Sequence, residues 1–317
     1  MQVISDNDLS DSDVMDFLGQ QESDKIRSVI DFKDALLYRM DNPIDQAGIC
    51  LPFPKTHDKV RLRSSEVSVW FGRSGHYKSA LVNQIALYST DVVRVGIMSF
   101  EMPVDVTLER ITKQAAGSGN PPKEYAVRML DHLNGRMWIY DHLDTVAPER
   151  ALACVHHMAK LGIKLVVIDC LIMVKGVSRE AEREAKFMAH LTALAKAHKI
   201  HIALVHHPRK EQTGSDEKMP TRSDMRGAGD LADMASTIFI IHNNKLKGEA
   251  LRKQAAGAPL SNREQESLEY PDQYLRVEKQ RNAEFEGTLG LTMKREAMQF
   301  LESDRQRLTL NLTRIAA

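Results

Sequence analysis

A regular alternation between short apolar runs and helical stretches, beginning at Glu66, most constrains the fold of this chain. The runs EVSVWF, VVRVGIMSF, RMWIYD, KLVVIDC and HIALVHH are rich in β-branched and aromatic residues, and helix-favouring stretches separate them. This alternation is typical of parallel strands joined by crossover helices. We therefore predict an α/β fold with a mostly parallel central sheet and helices on both faces.

The pattern changes after Thr237. The runs STIFIIHN, YLRVEKQR, EGTLGLTM and EAMQFLES follow one another with turns rather than crossover helices between most of them. We expect these runs to extend the sheet with antiparallel strands, within a main domain that spans residues 63–317. The stretch from residue 245 to 272 is polar and lacks an apolar period, which predicts a mobile excursion.

The N-terminal part has a different composition. Residues 1–22 are rich in Asp, Ser and Gln, which bury too little apolar surface for a fixed fold, so we expect disorder or order that depends on a partner. Residues 23–62 are predicted to be a linker, with an amphipathic helix from about Ile26 to Leu37 and an extended segment around two later prolines. The apolar side of this helix packs either on its own core or on a neighbouring subunit.

Composition limits the possible partners. Lys+Arg and Asp+Glu both number 43, so any nucleic-acid site must be local. Cys50, Cys154 and Cys170 show neither a disulfide framework nor metal-binding spacing, which favours a reducing compartment. The acidic N-terminus lacks a leader pattern, and no apolar run reaches the roughly 18 residues of a membrane span. We expect a cytoplasmic protein, or one in the host cytoplasm if a virus encodes it, with no membrane partner.

A candidate phosphate-binding loop follows the first strand of the main domain. EVSVWF leads into a Gly-rich segment and then a helix, the context that a Walker A loop requires. Its backbone N–H groups can bind phosphate, Lys78 can bridge the β- and γ-phosphates, and the Ser79 hydroxyl can bind Mg²⁺. A chance turn with a surface lysine is the alternative. The candidate nucleotide-binding residues are Gly72, Arg73, Ser74, Gly75, His76, Tyr77, Lys78 and Ser79.

Tyr77 departs from the usual loop pattern, which has glycine before the lysine. Glycine is favoured there because the backbone approaches phosphate closely and adopts torsions that a side chain resists, a strain of about 1–3 kcal/mol. Tyr77 could therefore weaken nucleotide binding or turnover.

Polar residues also follow three other predicted strands. Asp169 ends KLVVIDC and is a candidate Mg²⁺ ligand, and Glu101 follows VGIMSF and is a candidate general base. We expect the Glu101 strand to lie beside the phosphate-loop strand. Side chains alternate along a strand, so only one of His206 and His207 can face the site, and we favour His207 as a phosphate sensor. The alternatives are an ordinary strand end for Asp169, a helix cap for Glu101 and a solvated strand-end histidine for His207.

Four segments, taken in order, resemble the DnaB-type replicative helicases, including primase-helicases and Twinkle. They are SFEMP, VVIDCLIMV, SDMRGAGDLADMASTIFII and EKQRNAEFEG, and the likeness spans about residues 51–302. The resemblance implies a RecA-like P-loop NTPase fold and an ATP- and Mg²⁺-dependent DNA helicase that acts on single-stranded DNA during replication. It also implies a homo-hexameric ring, and a separate primase or loader as a further partner.

The resemblance assigns roles to several more residues. It implies that Arg281 is an arginine finger and Lys279 its companion, both reaching the ATP site of the adjacent subunit. It also implies two channel-lining segments, 174–184 and 208–226. The candidate DNA-binding residues are Arg209, Lys210, Arg222 and Arg226, and without aromatic residues among them we expect contacts to the DNA backbone. The alternative for Lys279 and Arg281 is that they are outward charges on an exposed strand. The alternative for segment 208–226 is a solvated charged loop.

The chain departs from the family in showing no helical hairpin domain or primase region before the motor, so we expect no priming activity. Two other functions remain open. One is a RecA-like ATPase that binds single-stranded DNA or loads a helicase without unwinding. The other is a nucleotide-binding scaffold whose turnover Tyr77 has weakened.

Overall fold

A computed structural model describes residues 3–4, 10–20, 27–43, 47–208, 218–225, 230–310 and 312. The strands are β1 (Val3–Ile4), β2 (Ile49–Cys50), β3 (Arg61–Leu62), β4 (Glu66–Phe71), β5 (Val95–Ser99), β6 (Met137–Tyr140), β7 (Leu165–Asp169), β8 (His201–His206), β9 (Thr237–Asn243), β10 (Gln273–Gln280), β11 (Gly287–Lys294) and β12 (Gln299–Leu301). The α-helices are α1 (Asp11–Gln20), α2 (Lys33–Asp41), α3 (Lys78–Ser89), α4 (Val104–Ala116), α5 (Lys123–Leu133), α6 (Pro148–Lys160), α7 (Ala181–His198), α8 (Asp230–Met234), α9 (Lys245–Ala255) and α10 (Asn262–Ser267).

The main sheet has ten strands in the order β1-β6-β5-β7-β8-β4-β9-β10-β11-β12. Every pair from β1 to β9 in this order is parallel. The pairs β9–β10, β10–β11 and β11–β12 are antiparallel. These pairings confirm the predicted α/β fold with an antiparallel extension.

The sheet order corrects one prediction. We expected β5, which precedes Glu101, to lie beside the phosphate-loop strand β4. The neighbours of β5 are β6 and β7, whereas β4 lies between β8 and β9. The crossover through α3 therefore passes over the positions of β8 and β7. This prediction was wrong because the length and composition of a crossover helix do not specify how many strand positions it passes.

Side chains of each central strand alternate between two cores, one on each face of the sheet. Val69 and Phe71 of β4 pack in the core beneath α6 and α7, whereas Trp70 packs in the core beneath α3 and α4. Trp70 stacks on Phe239 of the neighbouring strand β9, with ring centroids 4.0 Å apart. Because both faces are covered, these strands read as continuous apolar runs. Across the described residues, no helix combines the length and apolarity needed to span a membrane.

The prediction that residues 1–22 lack a fixed fold is wrong for α1. This helix packs against α6 and α7. Val14 is fully buried in the core, and Phe17 and Leu18 pack against it. Apolar residues at this three- and four-residue spacing lie on one side of a helix, so α1 buries a narrow stripe even though its composition is mostly polar. Residues 1–2, 5–9 and 21–26 lie outside the described part of the chain.

The polar stretch predicted to be a mobile excursion contains two helices, α9 and α10. Their ends are fixed by hydrogen bonds rather than by an apolar period. The side chain of Asn244 accepts the N–H of Lys247, and Ser261 and Glu264 form a reciprocal capping box. The Lys253 ammonium lies 2.5 Å from a Glu264 carboxylate oxygen and joins the two helices. The prediction failed because capping can stabilise a short helix that buries little apolar surface.

The linker helix α2 and the 3₁₀ turn Val29–Phe32 before it bury none of their residues. Seven large apolar side chains are exposed here, at levels up to 88% for Val29. They are Val29, Ile30, Phe32, Leu36, Leu37, Tyr38 and Met40. These side chains therefore do not pack on the core of their own subunit in this structure.

Candidate active site

The candidate phosphate-binding loop, called the phosphate loop below, spans Gly72–Lys78 between β4 and α3. Gly75 has a positive φ of 73° and open space where a side chain would be. A Cβ at Gly72 would lie 2.4 Å from the Ile241 carbonyl oxygen, so only glycine fits there. Tyr77 adopts the left-handed conformation, with φ 60° and ψ 28°. This is the backbone conformation for which the usual glycine is favoured, and the Tyr77 ring packs edge to face against Phe300 at 6.4 Å.

Lys78 and His207 meet at the mouth of this loop. The Lys78 ammonium donates a hydrogen bond to the Arg73 carbonyl oxygen at 2.9 Å and lies 3.3 Å from Nδ1 of His207. Burial, the Lys78 charge and His206 lower the pKa of His207 to about 3, so its imidazole is neutral at neutral pH. An ammonium can only donate, so Nδ1 accepts and the proton of His207 is on Nε2.

His206 and His207 point to opposite sides of the sheet. His206 is buried, and its Nε2 lies 3.5 Å from a carboxylate oxygen of the buried Glu184 in the first turn of α7. His207 instead directs Nε2 toward Glu101, at 3.9 Å from Oε1. That separation is longer than a hydrogen bond. Strand alternation therefore places His207, as expected, on the side of the phosphate loop.

Asp169 ends β7 and is buried beside the start of α3. Burial raises its pKa to about 6, while a hydrogen bond with Ser79 and the Lys78 charge act in the opposite direction. Its Oδ1 has no hydrogen-bond partner within the described residues. A buried carboxylate oxygen without a partner, next to a serine hydroxyl, fits a hard divalent cation such as Mg²⁺. Ser79 and Asp169 are the residues that would hold it.

Glu101 follows β5 and reaches the same edge of the sheet, although β5 is not adjacent to β4. Its side chain is 42% exposed. The Cys170 thiol lies 3.1 Å from Glu101 Oε1 and donates to it. Lys78, Glu101, Asp169 and His207 are thus gathered at the carboxyl edge of the parallel strands, where α/β proteins bind ligands.

Lys279 and Arg281 lie at the opposite edge. Gln280 pairs with Thr237, and Thr237 pairs with Ser68, near the start of β4. The phosphate loop begins after the other end of β4, about 13 Å further along the strand direction. At their own edge, the Lys279 ammonium donates to the Ala232 and Asp233 carbonyl oxygens, and the Arg281 guanidinium donates to that of Asp233.

Comparisons with known proteins agree with this architecture. The family model described as DnaB-like helicase C terminal domain matches residues 58–302. The chain belongs to this family. It is 25% identical over 209 residues to the DNA helicase/primase of Enterobacteria phage T3, an alignment that covers 58% of this chain and 36% of the phage protein. The chain therefore spans only about a third of the length of that curated relative.

Two of the solved structures that share the fold illustrate the likeness to this chain. One is described as an ATPase domain, and it superposes with a TM-score of 0.68 at 14% identity, covering 87% of this chain and 99% of that one. A DnaB-like replicative helicase, whose structure addresses its interactions with primase, superposes with a TM-score of 0.64 at 14% identity. That match covers 92% of this chain and 70% of the helicase.

The two segments expected to line a channel in a DnaB-like ring follow β7 and β8. In the first, Val177 and Ser178 are buried, while Lys175 and Arg183 are exposed. In the second, Arg222 forms an ion pair with the Asp233 carboxylate on α8. Arg209, Lys210 and Arg226 lie outside the described residues, so their predicted contacts with DNA stay predictions.

Two residues of these sites, Cys170 and Asp233, were not predicted from the sequence. Cys170 follows Asp169 directly, and that adjacency was the available signal. Asp233 binds Arg222 through its carboxylate and Arg281 through its carbonyl oxygen, and it links the second channel segment to the end of β10. No pattern in the sequence singles out Asp233.

Proposed function

We propose that this chain is the ATP-hydrolysing motor of a ring-shaped DNA helicase that translocates along single-stranded DNA during replication. The observation that carries the proposal is the separation of the catalytic groups over two edges of one sheet. Lys78, Glu101, Asp169 and His207 converge at one edge, whereas Arg281 lies at the other. A complete ATP site then requires two copies of the chain.

Each residue of the phosphate-loop edge has a role that its environment supports. Lys78 moves from the Arg73 carbonyl oxygen to the phosphates of ATP. Ser79 and Asp169 would hold Mg²⁺, which would supply positive charge to neutralise the phosphate oxygens. Glu101 accepts the proton of the attacking water, because its carboxylate is open to solvent at the same edge as Lys78. His207 offers its Nε2–H to the terminal phosphate and so senses its presence.

The opposite edge supplies the groups that act on the next subunit. The carbonyl oxygens of α8 hold Lys279 and Arg281 about 13 Å or more from their own phosphate loop. From there Arg281 stabilises charge on the phosphoryl group in the adjacent copy, with Lys279 beside it. The exposed apolar side chains of α2 and of the preceding 3₁₀ turn support assembly as well, since large apolar groups exposed in this number mark an interaction surface.

Single-stranded DNA is the proposed substrate and a homo-hexamer the proposed assembly, with a separate primase or loader as a further partner. Support comes from the family, from the phage relative named as a helicase/primase, and from the fold neighbour studied with primase. The Arg222–Asp233–Arg281 connection offers a route by which DNA at the second channel segment affects the finger.

ATP hydrolysis with and without single-stranded DNA tests this proposal. Arg281→Ala should lower kcat by about 10³–10⁵ while ATP binding to one subunit remains. Arg276→Ala is the matched control, because this arginine lies on β10, the strand that Arg281 directly follows, and pairs with the Glu278 carboxylate at 2.7 Å. Mixing Arg281→Ala with Lys78→Ala subunits should restore partial activity, because some interfaces then combine an intact loop with an intact finger.

Other outcomes would favour the alternative functions. Hydrolysis that DNA stimulates, without strand separation on a forked duplex, would indicate a DNA-binding or loading ATPase. Retention of ATP with no hydrolysis by the wild type would indicate a scaffold. A chain that stays monomeric and retains no ATP in the presence of Mg²⁺ and single-stranded DNA would refute the motor.

A further inference from the structure

Three potential metal ligands from different strands converge beside the phosphate loop. The side chains of Glu101, Cys170 and His207 each place one ligand atom within 4.8 Å of the others. Cys170 Sγ lies 3.1 Å from Glu101 Oε1, and His207 Nε2 lies 3.9 Å from the same oxygen. These ligands come from the ends of β7, β5 and β8, so the sheet brings together residues that are far apart in sequence.

The separations suit a tetrahedral cation. Zinc binds cysteine sulfur at about 2.3 Å and histidine nitrogen or carboxylate oxygen at about 2.0–2.2 Å, so ligands of one tetrahedral site lie about 3.3–3.7 Å apart. Small side-chain rotations bring the three atoms to these values, since Glu101 and His207 are both partly exposed. The solvent side leaves a fourth position for water. Sulfur and imidazole ligands distinguish this cluster from the oxygen ligands of Ser79 and Asp169.

Binding at this cluster has defined proton steps. The Cys170 thiol gives up its proton to solvent and binds as thiolate. Nε2 of His207 binds through its lone pair, so the ring proton moves to Nδ1. Lys78 then loses its contact with Nδ1 but keeps its hydrogen bond to the Arg73 carbonyl oxygen.

We propose that Glu101, Cys170 and His207 form a site for a thiophilic divalent cation of the Zn²⁺ class, and that a cation bound there blocks ATP hydrolysis. The block follows because a cation bound to Glu101 neutralises its carboxylate charge and lowers its basicity, so the carboxylate no longer accepts the proton of the attacking water. The inhibitory consequence rests on the proposed function of Glu101, whereas cation binding does not.

Cobalt substitution tests binding without reference to activity. The full chain is titrated with Co²⁺ near neutral pH without nucleotide, and a thiolate-to-cobalt charge-transfer absorption at one equivalent per chain is expected. Cys170→Ser should abolish this absorption, and Cys50→Ser, which changes a cysteine on β2, should retain it. Cations bound by the His156–His198 pair, whose ring nitrogens lie 2.9 Å apart, have no sulfur ligand and give no such band.

A wild-type protein without the band, or a band that persists in Cys170→Ser, would overturn the proposal. Glu101→Gln provides a second test if Cys170→Ser fails to fold, because this side chain is partly exposed. It should weaken Co²⁺ binding at least about tenfold while the sulfur band remains at saturation. Equal affinity in Glu101→Gln and wild type would exclude Glu101 as a ligand and so overturn the three-residue site.

Inhibition is measured in buffered free Zn²⁺ at constant excess Mg²⁺ and ATP. Wild type and Cys50→Ser should lose ATP hydrolysis at the same concentration of free Zn²⁺. Cys170→Ser should require at least about tenfold more free Zn²⁺ for the same loss. Identical inhibition of the Cys170→Ser variant would refute the block. A wild type that hydrolyses no ATP at all would refute the proposed function, and the cobalt spectrum would still decide whether the site exists.

Discussion

Replacing Asp169 with asparagine should make the nucleotide-free protein more stable at neutral to alkaline pH. Burial raises the pKa of Asp169 from its ordinary value of 3.8 to about 6. Its ionisation therefore costs the folded state about two pKa units, or about 3 kcal/mol, and this penalty appears as pH rises from 3.8 through 6. Asparagine carries no such penalty, but it leaves a buried amide atom without a partner, which costs about 1–2 kcal/mol. The net expected gain is about 1–2 kcal/mol.

Urea unfolding without Mg²⁺ and ATP measures this gain at two pH values. At about pH 5 the ionisation penalty falls to roughly half, so the advantage of Asp169→Asn should largely disappear, whereas at about pH 8 it should be complete. With Mg²⁺ and ATP the order should reverse, because a ligand at 100 times its Kd stabilises the wild type by about 2.7 kcal/mol and the variant binds it weakly.

Asp272→Asn is the matched control. This carboxylate is also buried, but it accepts the N–H of Met293 at 3.0 Å and lies 3.3 Å from the Arg295 guanidinium. Its substitution should lower the free energy of unfolding by about 1–3 kcal/mol at the same pH. A nucleotide-free Asp169→Asn variant that is less stable than wild type at about pH 8 would refute the reasoning, because ionised Asp169 would then be favourable in the fold.

Two further changes test the phosphate loop and the linker. Tyr77→Gly should be about 1 kcal/mol more stable than Tyr77→Ala in urea unfolding, because both variants lose the ring but only alanine keeps the strain of the left-handed conformation. Equal stabilities, or a more stable alanine variant, would contradict a strained Tyr77. Leu36→Ser together with Leu37→Ser should weaken assembly, measured as particle mass with ATP and an oligonucleotide, without changing the stability of the single chain. A destabilised monomer would instead show that α2 packs on its own subunit.

The sequence alone determined the features that depend on local backbone conformation and side-chain periodicity. Continuous apolar runs specified the buried parallel strands, and the glycine-rich segment from Gly72 to Lys78 specified a tight turn at the start of a helix. The same reasoning identified the strained position of Tyr77 and selected His207 over His206. These inferences held because torsional preferences and strand alternation act within a few residues.

Tertiary structure alone decided which distant residues meet. The strand order places Glu101 beside Cys170 rather than on a strand next to β4. Because β10 runs antiparallel to β9, Arg281 lies at the edge opposite its own phosphate loop. The burial of Val14 was likewise decided by the surface that α6 and α7 offer. Strand order and helix docking depend on the packing free energy of the whole sheet. The local sequence of a crossover gives its length but not the strand positions that it passes, so no local pattern could specify them.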